Sequence, residues 1–176
     1  MRCFIAAHIS EKSKKGIYEI SGGFDRGLFK VVSEENLHIT VKFLGEIGED
    51  EVEACKRAID GCVSGPVRIK IEGGGAFPNM RRARVIFVNA ISDELGRIAN
   101  CIRNRTVGIG DERPYIGHIT VARVRGGPVD ASKIIGELGK IEIEGGLQKI
   151  SLMKSTLTPE GPVYEEIYAK VVGVAQ

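Results

Sequence analysis

The chain has no apolar run approaching the roughly 18–20 residues that span a bilayer, so a membrane helix is not expected. It has little excess charge: 25 Lys and Arg against 23 Asp and Glu leave +2. That is too small to argue for nucleic-acid binding by itself; local clustering would have to carry such a case. It has four cysteines and no Cys-x-x-Cys pair, so the close ligand spacing of a zinc site is missing. Buried free thiols are the expectation for Cys3, Cys55, Cys62 and Cys101, because unpaired cysteine is among the most buried residue types. It also has only three histidines. What remains is ordinary for a soluble globular protein: 176 residues, 43% apolar and 27% charged. Met1-Arg2-Cys3-Phe4-Ile5-Ala6-Ala7 is apolar only briefly before His8 and Glu11, so it reads as a strand and not a signal peptide. A cytoplasmic protein with no membrane partner is expected.

Two of the three histidines lie in matching tetrads, His38-Ile39-Thr40-Val41 and His118-Ile119-Thr120-Val121. Successive side chains on a strand point to opposite faces. Each tetrad therefore has an apolar side to bury and an imidazole-plus-hydroxyl side to present. His8 alternates with Phe4 and Ala6 on the first strand and reads as structural.

Along the chain, Arg2–Ile9 reads as a strand and Glu11–Ile20 as a short helix stopped by Ser21-Gly22-Gly23. Val52, Cys55, Ala58, Ile59 and Cys62 have the three-and-four spacing of an amphipathic helix over Asp50–Val63. Val67–Glu72 alternates as a strand with one wet face. Val85–Ala90 is a buried strand, and Ser92 caps a helix to about Asn104. Tyr115–Val124 is the second tetrad strand, and Asp130 starts a helix. Ile141–Glu144, Leu147–Leu157 and Val163–Val172 are the closing strands. Both halves thus read strand, helix, tetrad strand, helix, strand. Each tetrad histidine precedes a helix-starting aspartate, Asp50 or Asp130, by twelve residues. Two copies suggest a duplicated lobe and not a solenoid, which needs at least three repeats. The expectation is an α+β fold: one two-lobed domain over residues 1–176, two antiparallel sheets with outer helices facing each other across a central groove. The approximate repeats are 1–75 and 84–151, with C-terminal strands over 152–176.

Two histidines can divide acid and base work near neutral pH, one giving a proton while the other takes one. Displacement at a phosphodiester needs both, and a hydroxyl on each side can bond the non-bridging oxygens as charge builds. A lone His-x-Thr on a strand is common and structural. Two copies at matched positions are harder to explain by packing, although a duplicated scaffold could keep them for that alone. A metal site is the competing chemistry, but no carboxylate or thiolate accompanies either tetrad.

The twin tetrads resemble the His-x-Thr-x motifs of the two-histidine phosphoesterase superfamily. Arg2–Ala6, Leu37–Gly45, Pro114–Arg123 and Gly161–Tyr164 are more specifically similar to the RNA 2′,3′-cyclic phosphodiesterase family, also called 2′-5′ RNA ligases. The similarity runs nearly end to end. Gly117 departs from it, standing where the family usually has proline, and both tetrads end in Val where Leu is common.

The resemblance implies hydrolysis of a terminal RNA 2′,3′-cyclic phosphate to a 2′-phosphate, without metal or cofactor. Joining a 5′-hydroxyl end through a 2′-5′ bond is a second reaction it implies. It makes His38 the proton donor, His118 the proton acceptor, and Thr40 and Thr120 the holders of the phosphate oxygens. Arg123 corresponds to a family arginine at the phosphate, yet alternation puts it on the face opposite His118 unless a bulge intervenes. Phe43 is either a base-stacking platform or, by alternation, core with Ile39 and Val41. Lys42 shares the face of His38 and is either a backbone contact or solvated. Tyr115 is grouped with these substrate-binding candidates. Arg81, Arg82 and Arg84 could meet phosphates further along the RNA, or be a solvated loop. The expected partners are RNA with a cyclic phosphate end and nucleotides, met by a monomer. The alternative is a non-catalytic RNA- or nucleotide-binding module on the same duplicated scaffold.

Overall fold

The helices form where apolar residues recur on one side. In the computed structural model, which describes residues 1–173, α2 (Glu49–Cys62) buries Val52, Cys55, Ala58 and Ile59. Helix α3 (Asp93–Arg105) buries Leu95, Ile98, Ala99 and Ile102, and the Ser92 hydroxyl accepts the Leu95 N–H as its cap. Ser10 caps α1 (Glu11–Ser21) in the same way through Ser13 N–H. The fourth helix, α4 (Ser132–Leu138), starts two residues later than its sequence suggests. Asp130 accepts the Ser132 N–H and closes a turn before the helix begins.

Among the described residues eight strands pair, each with its neighbours antiparallel. They are β1 (Arg2–Ile9), β2 (Phe29–Val31), β3 (Ile39–Glu46), β4 (Arg68–Phe77), β5 (Val85–Ile91), β6 (His118–Val124), β7 (Glu142–Thr158) and β8 (Gly161–Val171). Strands β8, β7, β1 and β3 lie side by side, as do β2, β6, β5 and β4. Two seams join these groups. One is the pair Ile39 opposite Ile119, between β3 and β6. The other is β7 itself, whose Glu142–Gly146 stretch pairs with β4 before Leu147–Lys154 turns to β1. The glycines Gly145 and Gly146 therefore do not end a strand, as the sequence suggests; they carry one long strand from one partner to the other. The expected strands over 152–176 lie in β7 and β8 as far as Val171, and residues 174–176 lie outside those described.

One continuous apolar core backs both groups of strands, drawing Ile5, Ile39 and Ile59 together with Ile86, Ile102 and Ile119. Helices α2 and α3 pack on each other and are joined by a disulfide, Cys62–Cys101, with Cα atoms 5.8 Å apart. This corrects the expectation of four free thiols. Only Cys3 and Cys55 are free, because the packing of α2 on α3 brings Cys62 and Cys101 together. Such a bond is rare in a reducing cytosol outside hyperthermophiles. The expectation of a cytoplasmic protein and this pair pull in opposite directions. Among the described residues no helix is long and apolar enough to cross a membrane.

Candidate active site

The apolar halves of both tetrads are buried: Ile39, Val41, Ile119 and Val121 are each at most 6% exposed. With Ile39 opposite Ile119 in an antiparallel pair, the polar halves share the other face. That register sets His38 beside Thr120 and Thr40 beside His118.

The two imidazoles are held alike. The His38 Nδ1 lies 2.7 Å from the Asn36 carbonyl and the His118 Nδ1 2.7 Å from the Ile116 carbonyl. A carbonyl only accepts, so each Nδ1 carries the proton and each Nε2 is left to face a substrate. The Thr40 hydroxyl lies 3.2 Å from the His38 Nε2 and donates to it while that nitrogen is unprotonated. Aromatic rings pack against both imidazoles. Phe4 and Tyr164 lie 5.2 and 5.7 Å from His38, and Phe77 and Phe87 lie 5.2 and 5.3 Å from His118, centroid to centroid. These four aromatics were not assigned to the site from sequence, although the alternation of Phe4 with His8 was visible there.

Glycines make this close packing feasible. A Cβ on Gly75 would stand 2.6 Å from the Phe87 ring, so glycine is what lets that ring lie over β4 beside His118. A Cβ on Gly117 would stand 2.1 Å from the Ala90 carbonyl, whose residue donates its N–H to the Gly117 carbonyl at 2.9 Å. That contact explains glycine in place of the family's proline: this approach to β6 runs too close to β5 for a ring.

After each tetrad the strand bulges. On β3, Thr40 pairs with Ala6 but Lys42 with Ile5, leaving Val41 as an extra residue. On β6, Thr120 pairs with Phe87 but Ala122 with Ile86, leaving Val121 extra. A bulge reverses the alternation beyond it, and this decides three positions at once: it overturns both readings of Lys42, takes the outward reading of Phe43 and supplies the bulge that Arg123 required. Lys42 turns inward and is 6% exposed; its ammonium donates to the Thr106 carbonyl and hydroxyl at 2.9 and 3.1 Å and lies 3.5 Å from Glu112. It is neither solvated nor available to RNA. Phe43 turns outward instead of into the core, 53% exposed and opposite Phe4 on the histidine face. Arg123 turns onto that face too, opposite Val85 and exposed.

Tyr115 is also corrected. It packs against the apolar core with its hydroxyl buried and without a hydrogen-bond partner among the described residues, and burial pushes that phenol upward in pKa. Arg81 and Arg82 lie on an exposed turn whose backbone N–H groups bond the Asn79 side chain, and Arg84 is exposed beside it.

Burial is the main influence on His38 and pushes its pKa down. The bond to Asn36 opposes this, while Lys14, His118 and Arg123 push the same way as burial. His8, read as structural, lines a cavity of about 140 Å³ with His38, Phe4, Met153 and Tyr164. Its Nε2 is buried without a hydrogen-bond partner among the described residues, and burial, then Lys149, push its pKa down to about 4. Among the described residues no group of three or more His, Cys, Asp or Glu is placed to hold a metal ion.

Two strand groups meeting at a matched pair of His-x-Thr strands define the class of two-histidine phosphoesterases. A sequence model described as LigT like Phosphoesterase matches the chain twice, over residues 8–87 and 86–164, and the chain belongs to that family. It is 36% identical to the RNA 2′,3′-cyclic phosphodiesterase of Methanocaldococcus jannaschii, covering 95% of this chain and 98% of that one. The protein of the same name from Thermotoga maritima is 31% identical, with 96% and 94% covered. Among solved structures, TT0787 of Thermus thermophilus superposes with a TM-score of 0.82 at 27% identity, covering 98% of both chains. E. coli LigT complexed with 3′-AMP superposes at 0.77 and 19% identity, covering 97% of both, a likeness of fold.

Proposed function

We propose that this protein hydrolyses the 2′,3′-cyclic phosphate at an RNA end to a 2′-phosphate. The observation that carries the reading is the matched pair of imidazoles, each anchored through Nδ1 to a carbonyl with Nε2 toward the shared face. The names of the relatives above support the same substrate class.

In this reading water attacks phosphorus while its proton passes to the His118 Nε2. The bond from phosphorus to the 3′ oxygen breaks, and the His38 Nε2 gives that oxygen its proton. The 2′ oxygen keeps the phosphate. His118 ends protonated and His38 neutral, and exchange with solvent resets both. Thr40 and Thr120 donate to the non-bridging oxygens, Thr40 turning from His38 once that nitrogen carries a proton. Arg123 stabilises the growing charge. Phe43, opposite Phe4 on the same face, is a flat exposed surface on which a base stacks. Every group in this scheme comes from one chain, so a monomer suffices. With a 5′-hydroxyl in place of water the same two proton transfers would make a 2′-5′ bond. Hydrolysis is the reaction the relatives' names support.

The test is incubation of EDTA-treated protein with a short RNA ending in a 2′,3′-cyclic phosphate, separating 2′- from 3′-phosphate products. A 2′-phosphate is expected, with turnover reduced at least about 100-fold in His38→Ala and in His118→Ala while folding is kept. Full activity in either variant would sink the scheme. Tight binding without turnover by the wild type would leave a binding module in its place.

A further inference from the structure

On strand β2, the residue directly opposite Arg123 is Lys30. Directly opposed residues share a face, so the bulge that turns Arg123 onto the histidine face brings Lys30 there as well. Both side chains are exposed, and neither makes an ion pair among the described residues. The Lys30 ammonium lies 3.5 Å from the Glu160 carbonyl, which is long for a hydrogen bond. That carbonyl belongs to the turn between β7 and β8, and a Cβ on the following Gly161 would stand 3.2 Å from the ammonium. Lys30 thus reaches from one group of strands to the hairpin of the other, at the Arg123 end of the groove.

Like charges directly opposed across a strand pair destabilise it, and among the described residues no acid makes an ion pair with either. A bound anion would offset the repulsion. Arg123 has one in the scheme above, the cyclic phosphate. Neighbouring strands lie roughly 5 Å apart, so Lys30 offers a second anion site one short step outward from the first. A polynucleotide supplies a phosphate there, whereas a cyclic mononucleotide does not.

We propose that Lys30 binds the phosphodiester immediately 5′ to the terminal nucleotide. The groove then holds two consecutive phosphates, the cyclic one at the histidines and Arg123 and the next one at Lys30. The preferred substrate is an oligonucleotide with a cyclic phosphate end and not the free cyclic mononucleotide. This rests on the reading of the function above.

The experiment compares kcat/KM for adenosine 2′,3′-cyclic monophosphate and for a short oligoadenylate with the same end, in wild type, Lys30→Met and Lys30→Arg. Lys30→Met is expected to lose about tenfold on the oligonucleotide through KM, the worth of one charged contact. It should stay within about twofold on the mononucleotide, and its salt dependence on the oligonucleotide should flatten by about one unit of slope. Lys30→Arg should keep most of the oligonucleotide rate. Equal losses on both substrates would put Lys30 at the cyclic phosphate and overturn the proposal, and so would no loss on either. A wild type inactive on both would overturn the functional reading and this inference with it.

Discussion

His8 shows how a neighbourhood sets the behaviour of a residue that no motif marks. It stands on the histidine face of β1 opposite Lys149, with its Nε2 buried and without a hydrogen-bond partner among the described residues. Burial disfavours its charged form first, and Lys149, His38 and Lys14 add to that, with Glu166 opposing. Its pKa therefore falls from 6.5 to about 4. The unfolded chain binds the proton more readily, so His8 contributes full stability above its unfolded value and loses it as pH falls toward 4. After discounting for partial exposure, the loss between pH 7.5 and 4.5 is about 2 kcal/mol. Urea unfolding at those two pH values should show His8→Leu losing about 2 kcal/mol less than wild type across the interval. Equal losses in the two proteins would mean that His8 takes a proton freely in the fold.

The helices carry a second dependence. Cys62 and Cys101 close a loop with a sequence separation of 39 residues between α2 and α3. Constraining the unfolded chain across such a loop is worth about 4 kcal/mol in the chain-entropy estimate. Cys101→Ala should therefore unfold at lower denaturant than oxidised wild type by nearly that amount. The two should differ by less than about 1 kcal/mol once the wild type is reduced. A variant as stable as the oxidised protein would show that the two helices are held by packing alone. Three-and-four spacing made both helices legible in the sequence, because that pattern is local. The pairing of their cysteines was not, because it depends on how the helices lie against each other. The tetrad strands divide in the same way. Alternation placed His38, Thr40, His118 and Thr120 on one face, but it failed two residues later. Val41 and Val121 bulge without any sequence mark, since valine is also what a regular strand would carry; a glycine there would have been a signal. Lys42, Phe43 and Arg123 all depended on that one feature.

Taken whole, the molecule repeats one half and then treats the two copies differently. Five residues past the histidine, at the same bulge, one copy carries Phe43 and the other Arg123. Because β3 and β6 run antiparallel, these lie toward opposite ends of the groove, one aromatic and one cationic. His38 is on the face that Arg123 shares and is also pushed toward its neutral form by burial, Lys14 and His118. A proton donor in that setting is poorly charged until an anion arrives, and the anion is the substrate. In the proposed scheme the cyclic phosphate would then stabilise the charged form of His38 beside it. If His38 is the donor, activity fails as pH rises through its pKa. That pKa is depressed in the free protein, which governs kcat/KM, and restored in the complex, which governs kcat. The basic limb of kcat/KM should therefore lie below that of kcat, and below the ordinary histidine value. Full pH profiles of both parameters on a cyclic mononucleotide would measure this. Coincident limbs would mean that the bound phosphate does not charge His38, and the donor would then have to be sought at His118.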